Sequence, residues 1–577
     1  MTVVQLRKDF DGPPPPPPEP PEPPADEGPA GGPITVLGQR SGTFYFFDYM
    51  GQFRELTAHQ IGIKQHINAL FGDRGIQWLV DQFPAFDKHG DPTGSYSVDG
   101  ANRWIIREAG SMVFDGSMPS RGLGLWRAGE AVVAHLGDRI CWDGEWRHPG
   151  FQAEGALWPA RPPLFEVQPP APPGDLAELE AMMRRWNWAH DGSAEVMFGL
   201  WCAGVLGASI PWRPHAFIVG EAYSGKSTLF GLLAAANPTA LLVNSYTEAG
   251  IRQSLSQRAS AALMDEADAD EQAEAEKLQR VIGFLRLTSG GQGAQVLRGS
   301  PDGSAQRFDV VCSAIMGGIL PPNFKPQDAS RITRLDLRRK AADSKGLPSE
   351  VQIRDLRSRA PAFLSRALLV APRFMEVFRV YHAALIELDG NAPRMADQLG
   401  TILAARHIML SDRPPEAVGD DLDLVRWAIP SAEDRESEGG PRQCLHHLLH
   451  AQLDQQKGGE RPVVWRTVLD AIAADAGIRD EAKRSLLNHG MRVGPYPLKD
   501  QAGAPVLYVM NQHQQLARMF AGTRWAGEKW REDLARLPGA VVPPNPIKLS
   551  TGNKIRVVVI PRALLPYPGD GGDGDQD

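Results

Sequence analysis

Residues 216–233 read AFIVGEAYSGKSTLFGLL, and this stretch limits the fold of the chain more than any other. An apolar run, Ala216–Val219, enters a loop bounded by Gly220 and Gly225; Lys226 and Ser227 follow, then residues at helical spacing. A strand, a glycine-bounded loop and a helix in immediate succession predict a βα unit of a parallel sheet with helices packed on it. The glycines let the backbone curl until its N–H groups converge. The start of the helix adds the positive end of its dipole at the same place. Such a concavity suits phosphate oxygens. Lys226 has the reach for a terminal phosphate, and Ser227 offers a hydroxyl to Mg²⁺. Gly220, Glu221, Ala222, Tyr223, Ser224, Gly225, Lys226, Ser227 and Thr228 are therefore the candidate cradle, with ATP and Mg²⁺ as the expected ligands.

A cradle of this kind works with an acidic strand end. Residues 259–266, ASAALMDE, supply a small apolar strand closing on two carboxylates. Asp265 would hold the Mg²⁺ shell and Glu266 would polarise an attacking water, so the pair predicts hydrolysis rather than binding alone. The acids that follow, Asp268, Asp270, Glu271, Glu274 and Glu276, read as a solvated helix face.

The net charge of −8 argues against a nucleic-acid partner until it is located. Residues 1–32 hold six acids and two bases, and residues 569–577 hold four acids and no base, so the two ends carry the whole −8. Residues 280–340 instead hold ten bases and four acids. Within them, two strand-like runs flank a Gly-Ser-Pro-Asp-Gly turn at 299–303, which predicts a hairpin with Arg298 and Arg307 on its arms. Those arginines are candidates for phosphate-backbone contact, with a solvated structural hairpin as the equal alternative. Further on, Arg331 and Arg334 follow the strand after the acidic pair. They are candidates for a finger reaching a neighbouring subunit's γ-phosphate; an ion pair to the acidic helix is the alternative.

Together these parts resemble the AAA+ helicase half of phage and prophage primase–helicase proteins, related to the superfamily 3 helicases. The matching stretches are GEAYSGKST, TEAGIRQSL, ALMDEAD, FLRLTSGGQGAQVLRGSPDGSAQRF and PPNFKPQDASRITRLDL. FYFFDYMGQFRELT, GLGLWRAGEAVVAHLGDRI and FAGTRWAGEKWREDLARLPGA extend the similarity over most of residues 34–568. The resemblance implies a homo-hexameric ring with ATP sites between subunits. It also implies a pore hairpin containing Arg298, Gly303 and Arg307, single-stranded or forked DNA as partner, and Arg331 acting in trans. The chain departs from the pattern at the sensor, where Gly318, Leu320 and Asn323 compete for a position that is usually polar. The hairpin tip has no lysine, and 33–157 shows no polymerase metal site, so a primase or polymerase would be a separate partner.

The expected fold class is an α/β P-loop NTPase core, AAA+-like, with an N-terminal α+β domain and a C-terminal helical, winged-helix-like domain. The expected division is a disordered Pro-rich acidic tail (1–32), the α+β domain (33–157), a Pro-rich linker (158–175), the ATPase domain (176–345), a helical segment and loop (346–441), the winged-helix-like domain (442–568) and an acidic tail (569–577). No apolar run reaches the roughly 18 residues of a membrane span. Four scattered cysteines form neither a zinc motif nor a disulfide framework. With an N-terminus unlike a signal peptide, this points to the cytoplasm. Trp525 and Trp530 are candidates for stacking on bases or for an ordinary core. An ATP-driven DNA helicase is the expected function. A translocase that leaves strands paired, and a nucleotide-switched interaction protein, are the alternatives.

Overall fold

The computed structural model describes the chain apart from residues 1–31, 266, 268–271, 292–293, 300–304, 320–323, 325–327, 329, 340–345, 389–392, 430–439, 455–460, 474, 496–504, 549–553 and 566–577, and apart from the side chains of 272–273, 294–299 and 305–308. It forms two compact units, divided between Ile429 and Pro430.

The first unit opens with an antiparallel sheet of β1 (Thr35–Arg40), β2 (Thr43–Phe47) and β3 (Phe53–Thr57). Helices α1 (Lys64–Gln82) and α2 (Val98–Gly110) follow, with the short hairpin β4 (Pro84–Phe86) and β5 (Pro92–Tyr96) between them. A four-stranded antiparallel meander comes next: β6 (Gly124–Ala128), β7 (Ala131–His135), β8 (Ile140–Trp142) and β9 (Glu145–Arg147). Backbone hydrogen bonds join this meander to residues 207–259. Gly122 N donates to Gln257 O at 2.8 Å, Ala259 N to Leu123 O at 2.9 Å and Ala208 N to Leu125 O at 2.9 Å. The approach is so close that a Cβ on Gly124, whose φ is +116°, would stand 2.1 Å from the Ala259 carbonyl oxygen. The proline-dense residues 158–175 run along both neighbours: Leu164 N bonds Leu136 O at 2.9 Å, and Ala171 N bonds Ala362 O at 3.0 Å.

Helices α3 (Pro173–Met183) and α4 (Ser193–Leu206) lead into a five-stranded parallel sheet. Its strands are β10 (His215–Gly220), β11 (Leu241–Val243), β12 (Ala262–Met264), β13 (Ala314–Gly318) and β14 (Ile332–Leu337), in the spatial order β11-β12-β13-β10-β14. Parallel neighbours need crossovers, and α5 (Lys226–Ala236), α6 (Glu248–Leu255) and α7 (Gln272–Thr288) lie between the strands in sequence. Alternation along each strand shows that both faces are covered. Ala216, Ile218, Leu263 and Ile315 pack with α4, α5 and the later helices α8 (Glu350–Val370), α9 (Phe374–Leu388) and α10 (Pro393–Leu410). Phe217, Ala262, Met264, Ala314 and Met316 pack on the other face with α6 and α7. The inner runs Ala216–Val219, Ala262–Met264 and Ala314–Gly318 are consequently apolar throughout, as in a sheet buried on both sides, while the edge strand β14 carries Arg334 and Asp336.

Between α7 and β13 an antiparallel hairpin, Ala294–Gly299 with Ala305–Val310, stands apart from the sheet. Arg307 pairs with Leu297 and Arg298 with Gln306, so the two arginines are not cross-strand partners.

The second unit holds α11 (Gly440–His450), α12 (Val464–Asp470) and α13 (Ala476–Asn488). They precede a three-stranded antiparallel sheet of Met491–Pro495, Pro505–Met510 and Val557–Ile560. Trp530 is fully buried and Trp525 is 8% exposed in the core of this unit, so neither presents an open face to a base. All four cysteines are buried, and none of them is in a disulfide. No described helix is long and apolar enough to cross a membrane.

Candidate nucleotide site

In a parallel sheet the loops after the strands gather at one end, and that end holds the cradle. β10 ends at Gly220, and α5 begins at Lys226 with Gly225 as its N-cap. Gly225 has φ +87°, a conformation that favours glycine, and a Cβ there would stand 2.6 Å from Leu347 Cδ1. A glycine cap brings no side-chain oxygen, and none caps this helix. The first N–H groups of the 11-residue α5 therefore remain available to an anion.

The loop lines a cavity of about 520 Å³ with Glu221, Ala222, Tyr223, Ser224, Gly225, Lys226, Ser227, Thr228, Asp265 and Ile319. The volume falls in the ordinary range for small-molecule sites, roughly 300–1,000 Å³. Lys226 Nζ donates to the Gly220 carbonyl, within the loop itself. The Ser224 hydroxyl is buried with no partner among the described residues. Tyr223 is 92% exposed and holds a left-handed φ of +68°, which is strained for an aromatic residue.

Asp265 enters the same cavity from β12, two strands away from β10. The intervening strand leaves room for it: at Gly317 of β13 a Cβ would lie 3.7 Å from Asp265 Oδ1 and 2.6 Å from the Phe230 ring. Asp265 is 7% exposed, and its backbone N–H bonds Val243 O at 3.2 Å. Among the described residues no three His, Cys, Asp or Glu side chains gather as a metal cage. Mg²⁺ does not require one, since it is usually held by one or two protein oxygens plus water and substrate phosphates. Ser227 and Asp265, which line the same cavity, fit that habit. Glu266, Leu320 and Asn323 lie outside the described residues; Gly318 ends β13 opposite Val219.

The candidate finger residues are not in this cavity. β14 runs beside β10 with His215 opposite Ile332 and Gly220 opposite Leu337. Arg331 precedes Ile332, so it stands at the far end of the strand, about 20 Å of extended chain from the level of Gly220. It follows β13 in sequence and immediately precedes β14, and its guanidinium lies 5.8 Å from the centroid of Trp212. Arg334 is half-exposed and bonded to Asp336 at 2.9 Å. That partner is on its own strand, not on the acidic helix. For Arg298 and Arg307 the backbone pairing is described and the side chains are not.

Sequence reading missed the residues that brace the cradle. Residues 186–190 run antiparallel to the end of β14: Arg338 N bonds Asn187 O at 2.8 Å, and Ala189 N bonds Asp336 O at 2.9 Å. From this strap the Trp186 indole donates to the Gly225 carbonyl at 3.0 Å. On the other side Arg339 pairs with Glu221 at 2.6 Å. The only signal in the sequence was the aromatic spacing of Trp186 and Trp188, which by itself suggests ordinary core.

No protein-family model matches the chain, and no curated protein matches it. Among solved structures, one described as SCCmec type IV Cch, active helicase, is 11% identical. It covers 92% of this chain and 93% of its own, with a TM-score of 0.44. An apo A form of the NrS-1 C-terminal region is 10% identical over 91% of this chain and 96% of its own, with a TM-score of 0.34. Likeness at these scores decides nothing about this chain, so its function has to be argued from the site.

Proposed function

We propose that this protein is an ATPase that moves on DNA, a helicase of phage or mobile-element type. One observation carries the reading: the uncapped start of α5, Lys226, Ser227 and Asp265 face one cavity, at the end of the sheet where α/β proteins bind ligands. The loop N–H groups and Lys226 would bind the triphosphate of ATP. Ser227 and Asp265 would hold Mg²⁺, which when bound neutralises charge on the phosphate oxygens. Glu266 would orient the attacking water. Arg331 stands too far from its own cavity to serve it. It is proposed to act on the ATP of the next subunit in a homo-hexameric ring, with Arg334 as the alternative donor. The hairpin bearing Arg298 and Arg307 would contact single-stranded or forked DNA within a region of net positive charge. A primase or polymerase would be a separate partner.

The decisive measurement is ATP hydrolysis by the full chain with and without single-stranded DNA. Wild type should hydrolyse ATP and speed up with DNA. Lys226→Ala should lose at least about 100-fold in rate. Full DNA-stimulated activity in that variant would sink the assignment. A rate indifferent to DNA at every low salt tested would favour a nucleotide switch, and an active enzyme that leaves a forked duplex paired would be a translocase.

A further inference from the structure

We infer that Trp186 is a positioning residue for the nucleotide: its indole N–H fixes the orientation of the peptide group that begins the cradle helix. The inference rests on the nucleotide reading of the site. Trp186 is 4% exposed and lies on the strap beside β14. Its Nε1 donates to the Gly225 carbonyl at 3.0 Å, and the same carbonyl accepts the Leu229 N–H at 3.0 Å. Both lone pairs of that oxygen are thus engaged on the protein side.

A trans peptide is planar, with its C=O and N–H pointing in opposite directions. Holding the Gly225 oxygen inward therefore turns the Lys226 N–H outward, toward the cavity that Lys226 lines. Gly225 has no Cβ to resist rotation, and its φ of +87° shows that it uses the freedom glycine allows. Without a second tether, the Gly225–Lys226 peptide would be the loosest member of the cradle. Trp186 supplies that tether and is itself anchored. Its neighbours are bonded to β14 and the residues just after it, through Ala189 N to Asp336 O at 2.9 Å and Asn187 Nδ2 to Arg339 O at 2.7 Å.

The strap carries its own control. Trp188 is also an indole donor, but its Nε1 bonds Met183 O at 2.9 Å and does not touch the loop. The test is calorimetric titration of the full chain with Mg²⁺ and either ATPγS or ADP. Trp186→Phe should weaken both ligands about tenfold, the size of one lost hydrogen bond that had been preorganising a phosphate contact. The loss should appear in the KM for ATP, with kcat changed less. Trp188→Phe should stay within about twofold of wild type, because its lost bond lies off the loop. Trp186→Met, a second apolar filler without a donor, should weaken both ligands as Trp186→Phe does, and it takes that variant's place if the latter folds poorly. The inference falls if Trp186→Phe or Trp186→Met, folded, binds as wild type does, or if Trp188→Phe loses as much. Wild type that binds neither ligand would overturn the nucleotide reading itself, a result distinct from both.

Discussion

The two ends of β10 are built on opposite rules. At Gly220 the backbone opens into a loop, the next helix has no side-chain cap, and a buried Ser224 hydroxyl has no partner among the described residues. At His215, five residues earlier, the polar groups are engaged. His215 Nε2 meets Leu285 O at 2.8 Å, its Nδ1 accepts Ala314 N–H at 3.0 Å, and its carbonyl accepts Gln398 Nε2 at 2.8 Å. Beside it Arg213, 2% exposed, bonds four carbonyls: Thr288 at 2.9 Å, Ile210 and Pro211 at 3.1 Å, and Gly291 at 2.9 Å. The Ser289 and Ser313 hydroxyls near this end also lack a partner among the described residues, so the contrast rests on His215 and Arg213, which tie strand and loops together, against a helix start that no side chain caps.

The contrast breaks most visibly at Arg213. Arg213→Ala should cost about 3 kcal/mol of stability, because four carbonyls lose a donor, two of them in buried bonds, and a cavity is left. Lys226→Ala should abolish hydrolysis with no such loss. Urea unfolding of both variants checks this. An Arg213→Ala midpoint equal to wild type would mean that the closed end is not structural.

Acid should act on the closed end too. Burial pushes the His215 imidazole down to about 4, and His135, held between the Gly137 N–H and the Pro159 carbonyl, down to about 4 as well. Each ring donates from Nε2 and accepts at Nδ1, so a second proton would face an N–H group. The unfolded chain takes up that proton near pH 6.5 and the folded chain only near 4. Stability is therefore level above about pH 7 and falls as pH drops through that interval, by about 2 kcal/mol per histidine between pH 7 and 5. Unfolding midpoints that stay flat from pH 7 to 5 would contradict the burial of these rings.

The cradle was legible because its chemistry is local. Gly220, Gly225, Lys226 and Ser227 sit within eight residues, and the short apolar run Ala262–Met264 announces a buried strand before Asp265. The pairing partners were not. No local rule says that β13 lies between β10 and β12, since strand order is set by crossovers and packing over a hundred residues. The position of Arg331 turned on the same point. Its distance from the cradle follows from β14 running parallel beside β10, which the sequence around it does not encode. The strap at 186–190 was invisible for a related reason: its hydrogen bonds go to residues 336–339, some 150 positions away.

The smallest expected effect tests whether charge also holds the open end. Arg339 and Glu221 approach to 2.6 Å, but their side chains are 69% and 65% exposed. Pairs of that exposure contribute about 0–0.5 kcal/mol, because water screens them and two long side chains lose freedom in meeting. Arg339→Ala should thus leave the unfolding midpoint unchanged and shift the ATP KM by less than about twofold. Any shift should fade as salt rises from about 0.05 to 0.5 M, where the screening length becomes shorter than the span of the loop. A tenfold, salt-insensitive change would place Arg339 with Trp186 as a brace, and the open end would then be held by two anchors rather than one.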